Sequence, residues 1–134
     1  YVDDQGRGTI PFTPAVQAFY GFDEALSELL EEGVVNRILR YKKASTLIRA
    51  RMAKMGIKTM LTPERQSNTI TAYSLPDGVT YDQLHDRLKA QGYVIYAGQG
   101  QLESKIFRVA NMGVLTEAQI VGFLDAFERI SGKA

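Results

Sequence analysis

Residues 92–110 read GYVIYAGQGQLESKIFRVA. Tyr93 to Ala97 and Lys105 to Ala110 are short runs of β-branched and aromatic side chains, which suit a pleated, half-buried surface. Gly98-Gln99-Gly100 between them is turn chemistry. A phosphate-binding loop needs a lysine and a following helix, and this one leads into a strand, so the stretch predicts two strands joined by a loop. Its glycines allow close approach of a ligand or another chain.

Working outward, Thr80 is placed to cap a helix that runs to Gln91 on the face Tyr81, Leu84 and Leu88, and Gly92 closes it. Downstream, Thr116-Glu117 opens a helix with Ile120, Phe123, Leu124, Phe127 and Ile130 inward. Upstream, Ile57, Thr59 and Leu61 alternate with Lys58, Met60 and Thr62 and predict a strand. Asn68 to Leu75 predicts another, closed by Pro76-Asp77-Gly78. Two long helices come first. Thr13-Pro14 starts one, in which threonine caps and proline supplies a preset φ, and Val16, Phe19, Tyr20, Leu26, Leu29 and Leu30 form its stripe up to Glu32 and Gly33. The second carries Val35, Ile38, Leu39, Leu47, Ile48 and Met52 and ends at Gly56.

The order α-α-β-β-α-β-β-α has strands too few and too local for a doubly wound parallel sheet. The expected class is α+β: a small antiparallel sheet of about four strands backed by helices and preceded by two long helices. Helices of that length are unusual in a freestanding module of this size, so one of them is expected to pack against a partner domain.

Composition narrows the function. A chain of 134 residues fits one compact domain. Sixteen basic against fifteen acidic side chains leave a net charge of +1, which argues against a nucleic-acid or anionic-membrane partner. The basic band Arg37, Arg40, Lys42, Lys43, Arg49 and Arg51 is broken by apolar residues at helical spacing, and reads as a solvated face or an interdomain contact before it reads as a phosphate tracker. The absence of cysteine excludes a disulfide framework, a thiolate metal site and a cysteine nucleophile, and suits a reducing cytoplasm. The opening YVDDQGRG is polar and acidic, unlike a signal peptide, and reads as the start of a segment cut from a longer protein.

No nucleophile, base or metal set stands out. His85, between Asp82 and Asp86, is one position off the apolar face and is expected at the surface or half-buried rather than as a catalytic base. Asp3-Asp4, Glu31-Glu32 and Asp82/Asp86 lack metal-ligand spacing and read as solvated faces. Arg108 is the most informative residue. It stands in Ile106-Phe107-Arg108-Val109-Ala110 on the face of Ile106 and Ala110. A guanidinium in apolar surroundings needs a planar anionic partner, either a protein carboxylate or a ligand carboxylate or phosphonate.

PFTPAVQAFYGFDEALSELLEEG, QSNTITAYSLP, GYVIYAGQG and KIFRVANMGVLTEAQI, in that order, resemble the C-terminal part of the class V aminotransferases, and within them the branch acting on 2-aminoethylphosphonate and pyruvate. The threonine-proline pair and the arginine of FRVANMG carry the specificity of the match. The resemblance implies a homodimeric transaminase in which pyridoxal phosphate is bound mainly by a large domain upstream, with residues 1–12 as lead-in and 13–134 as the small domain. It implies that Arg108 binds the substrate carboxylate, and that Thr13 approaches the cofactor phosphate of the neighbouring subunit. Lys42, Lys43, Lys54, Lys58, Lys89, Lys105 and Lys133 do not match the context of the cofactor lysine, so the chain by itself is expected to be inactive. FRVANMG and YAGQG depart from the phosphonate branch. Alanine:glyoxylate and serine:pyruvate aminotransferases share the architecture and the arginine. A rival reading from another class is a self-contained module that senses a small anion through Arg108 and needs no cofactor.

Overall fold

The computed structural model describes residues 2–10 and 12–132. The chain forms two compact units, one reaching to Arg37 and one from Ile38 onward.

The first unit begins with a helical turn, α1 (Val2–Gly6), that the polar lead does not announce. The Asp4 carbonyl then accepts from the amides of Arg7 and Thr9. α2 (Val16–Glu32) starts two residues after Pro14, with Ala15 as its N-cap at ψ 73° and no side-chain cap. The Val16 amide donates back to the Pro14 carbonyl, so the chain makes a tight turn before the helix and Thr13 lies outside it, uninvolved in capping. Gly33, at φ 82°, ends α2 with its amide on the Leu29 carbonyl. The predicted apolar stripe is there but uncovered: α2 has no buried residue, and Phe19 and Tyr20 are 65% and 73% exposed.

α3 (Val34–Lys54) runs on into the second unit, where Ala44, Ser45, Ile48 and Met52 are buried. The sheet follows, with β1 (Ile70–Ser74), β2 (Tyr96–Ala97) and β3 (Ile106–Ala110) in the order β1-β3-β2 and both pairings antiparallel. α4 (Tyr81–Lys89) and α5 (Glu117–Ser131) each open on a full capping box, Thr80 with Gln83 and Thr116 with Gln119.

The α+β architecture stands, with three strands in place of about four. Ile57–Thr62 contributes a single bridge, Thr59 opposite Tyr73, flanked by Met60 N–H to the Ala72 carbonyl and Ser74 N–H to the Lys58 carbonyl. Beyond it the Gln66 side chain donates to the Thr59 hydroxyl and the Leu61 carbonyl, folding the chain out of the sheet toward a 3-10 turn at Pro63–Arg65. Residues 93–95, read as strand, are likewise diverted. The Tyr93 amide stays on the Leu88 carbonyl at the end of α4, and the Ile95 carbonyl accepts from the Tyr81 hydroxyl.

The core lies between one sheet face and α3, α4 and α5. Phe107 stacks between Tyr73 and Phe127, each at 5.4 Å between ring centroids. Burial of an aromatic of this size is worth roughly 1.5–3 kcal/mol, so Phe107 anchors β3 to the core.

Candidate carboxylate-binding site

Pleating sends Phe107 and Val109 into the core and Arg108 to the opposite face, with Ala72 on β1 and Tyr96 on β2 as its directly paired neighbours. That face is the more open one: Tyr96 is 59% exposed, and Ser74 and Ala110 are exposed. Arg108 itself is half-buried. Its Nε donates to the Ala97 carbonyl at 2.8 Å. Among the described residues no carboxylate pairs with it, so the internal ion pair left open by the sequence is not formed there. Among the described residues the terminal amino groups of the guanidinium make no hydrogen bond, and they are the fork that meets a carboxylate. Burial pushes the Tyr81 phenol above its ordinary value, a backbone hydrogen bond at Ala97 opposes this, the Asp82 and Tyr96 charges add to it, and the Arg108 charge opposes it.

The loop before β3 owes its glycines to the chain itself. Gly100 takes φ 55° and starts a 3-10 turn through Leu102, whereas Gly98 is buried against the Leu102 carbonyl. The close approach expected there is made by this chain's own backbone.

Thr13 belongs to the other compact unit. It is exposed, and among the described residues its hydroxyl has no hydrogen-bond partner. Lys42, Lys43, Lys54, Lys58, Lys89 and Lys105 are all exposed, and Lys133 lies outside the described residues. His85 is half-buried, stacks on Tyr81 at 5.5 Å and meets the Asp86 carboxylate at 2.9 Å. Among the described residues no group of three or more His, Cys, Asp or Glu could hold a metal, and no helix is long and apolar enough to cross a membrane.

Much of the basic band of α3 is engaged at home. Arg51 bridges Asp125 and Glu128 on α5, Lys43 pairs with Glu117, and Arg49 donates to the Ser67 carbonyl and to the Ser45 hydroxyl. These cations staple α3 to its neighbours, a use that helical spacing alone does not reveal.

No protein-family model matches the chain. It is 36% identical over 126 residues to 2-aminoethylphosphonate–pyruvate transaminase of Salmonella schwarzengrund, covering 92% of this chain and 34% of that protein. Serine–glyoxylate aminotransferase of Methylorubrum extorquens is 34% identical over 127 residues, covering 90% and 31%. Its homologues are aminotransferases. Among solved structures, alanine–glyoxylate aminotransferase from Nostoc sp. superposes with a TM-score of 0.82 at 25% identity, over 91% of this chain and 33% of that one. The chain spans about a third of the length of the curated aminotransferases it matches, and its fold matches their small domain.

Proposed function

We propose that the protein to which this chain belongs is a pyridoxal-phosphate-dependent transaminase, moving an amino group from a donor to a keto acid such as pyruvate. Residues 13–134 form its small domain and residues 1–12 lead in from a large domain of the same chain. The donor is 2-aminoethylphosphonate, or serine or alanine as in the glyoxylate enzymes. The observation that carries the reading is Arg108: a half-buried guanidinium, aimed by a backbone carbonyl, with no protein carboxylate on it among the described residues. Such a group is a ready site for the carboxylate that every keto-acid acceptor has.

The residues here suit a supporting role toward the cofactor. The lysines of this chain do not match the context of a cofactor lysine and the described ones are exposed, which supports an anchoring lysine supplied by the large domain. Just ahead of α2, the Thr13 hydroxyl has no hydrogen-bond partner among the described residues, and it suits a phosphate oxygen of the neighbouring subunit's cofactor in a homodimer. When bound, the cofactor supplies the electron sink through which the amino nitrogen is passed on. Arg108 fixes the substrate by its carboxylate and thereby orients the reacting carbon. The uncovered apolar stripe of α2 supports a large-domain partner, since a surface of that kind marks a contact. A cytoplasmic location is consistent with the cysteine-free sequence. Keto-acid kinetics of full-length Arg108→Ala, paired with thermal unfolding, test the reading.

A further inference from the structure

The Ala97–Gly98 peptide unit is held at both ends. Its carbonyl oxygen accepts from Arg108 Nε at 2.8 Å, and its N–H donates to the Ile106 carbonyl at 3.2 Å. On its far side the loop folds down onto Gly98. A Cβ at that position would stand 2.2 Å from the Leu102 carbonyl oxygen, 2.5 Å from the Leu102 carbonyl carbon and 2.8 Å from Ile106 Cγ1. Two of those three atoms are backbone, and Leu102 is itself fixed by its amide on the Gln99 carbonyl and by the Lys105 amide on its own carbonyl, both at 3.1 Å. Gly98 does not need a positive φ, whereas Gly100 does and has nothing within 4 Å of its missing Cβ. Glycine at 98 is therefore required by space.

We propose that Gly98 is a positioning residue for Arg108, because only a residue without Cβ lets the loop hold the Ala97 carbonyl where it aims the guanidinium. This rests on Arg108 being the carboxylate-binding residue. A guanidinium is planar, so fixing its Nε–H fixes the direction of the whole fork. With Nε spent on Ala97, the substrate carboxylate meets the edge formed by the two terminal amino groups. A methyl group at 98 must displace either the Leu102 turn or the Ala97–Gly98 peptide, and the second of these carries the acceptor itself.

The test uses the full-length, cofactor-loaded enzyme with pyruvate as probe. Gly98→Ala raises the KM for pyruvate roughly tenfold to a hundredfold, the cost of misaiming a positioning group by about an ångström. The absorption of the bound cofactor does not change. In enzyme labelled with 15N-arginine, the Nε–H of Arg108 exchanges with solvent faster than in the parent. In an Arg108→Lys background, which has no Nε–H to aim, Gly98→Ala adds less than about twofold, since two changes acting through one contact are not additive. If Gly98→Ala does not fold, insertion of one glycine between Gln101 and Leu102 slackens the loop without adding a Cβ and produces the same KM rise and the same non-additivity. An unchanged KM in the folded variant, or full additivity with Arg108→Lys, overturns the proposal. If Arg108→Lys by itself leaves the pyruvate KM untouched, it is the carboxylate reading that fails; if Arg108→Lys raises the KM and the loop variants do not, only the positioning role fails.

Discussion

Arg108 on β3 is tied to Ala97 on the neighbouring strand by an Nε–H···O=C bond of 2.8 Å, a neutral backbone acceptor where a half-buried guanidinium more often finds a carboxylate. The difference has chemical consequences. A carboxylate partner would neutralise the charge, whereas a carbonyl orients the side chain and leaves its charge for an anion from outside.

Thr13 separates a structural from a ligand role with unusual clarity, because it makes no cap on α2. In the full-length protein, Thr13→Ala is expected to leave cofactor-free stability within about 0.5 kcal/mol of the parent. It should weaken retention of pyridoxal phosphate roughly tenfold, the worth of one hydrogen bond to a charged group. Unfolding curves and titration of the cofactor absorption measure the two. Unchanged retention would rule out the phosphate contact.

Tyr73 carries the one buried side-chain polar atom without a partner among the described residues, its hydroxyl, on a side chain with no exposed surface. Burial pushes its pKa up to about 12, and the neighbouring Thr71 hydroxyl and Arg49 charge only partly oppose this. The folded state therefore holds the phenol proton more tightly than the unfolded chain, whose value is 10.0. The resulting stability is complete below pH 10 and is lost as pH rises toward 12, by about 2–3 kcal/mol. Tyr73→Phe is expected to match or exceed the parent at neutral pH by up to about 1 kcal/mol, since the orphan hydroxyl is gone. The parent-minus-variant difference in urea unfolding should fall across that alkaline window. A flat difference contradicts this account of the hydroxyl.

Glu117 titrates in the opposite sense. The hydrogen bond from Lys43, and then its charge, hold the carboxyl below the usual value of 4.5. Its contribution is thus present above pH 4.5 and lost as pH falls below it. The pair is exposed, so the effect is small and screened by salt. Glu117→Gln should slightly flatten the acid limb of the melting-temperature profile at low ionic strength and leave it unaltered in molar salt. A variant that changes the profile equally in both salts would assign the carboxylate another partner.

The parts of the fold legible in the sequence were those encoded locally. Thr80 and Thr116 mark helix starts in the sequence and cap α4 and α5 in the fold, and the Ile120, Phe123, Leu124, Phe127 and Ile130 face is buried as its spacing predicts. The alternation at Ile57–Thr62 misled because strand pairing is non-local: Gln66 binds Thr59 and Leu61 and removes the segment from the sheet after one bridge. Thr13-Pro14 looked like a helix start because both residues favour one, yet the Val16 amide turns back to Pro14 first. For the site, strand alternation placed Arg108 on its face. The Ala97 carbonyl left no sequence signal, since any residue has one, and the demand on Gly98 comes from Leu102, whose approach depends on the folded loop.

The most direct measurement is kcat/KM for the keto acid, per cofactor-loaded molecule, in full-length Arg108→Ala. Removing one partner of a desolvated charge pair costs on the order of 2–5 kcal/mol, so a fall of roughly thirty- to several-thousand-fold is expected, with cofactor binding nearly intact and little rescue by Arg108→Lys. A variant that loses melting temperature but keeps near-parental kcat/KM would contradict the account and make Arg108 a structural residue of the sheet.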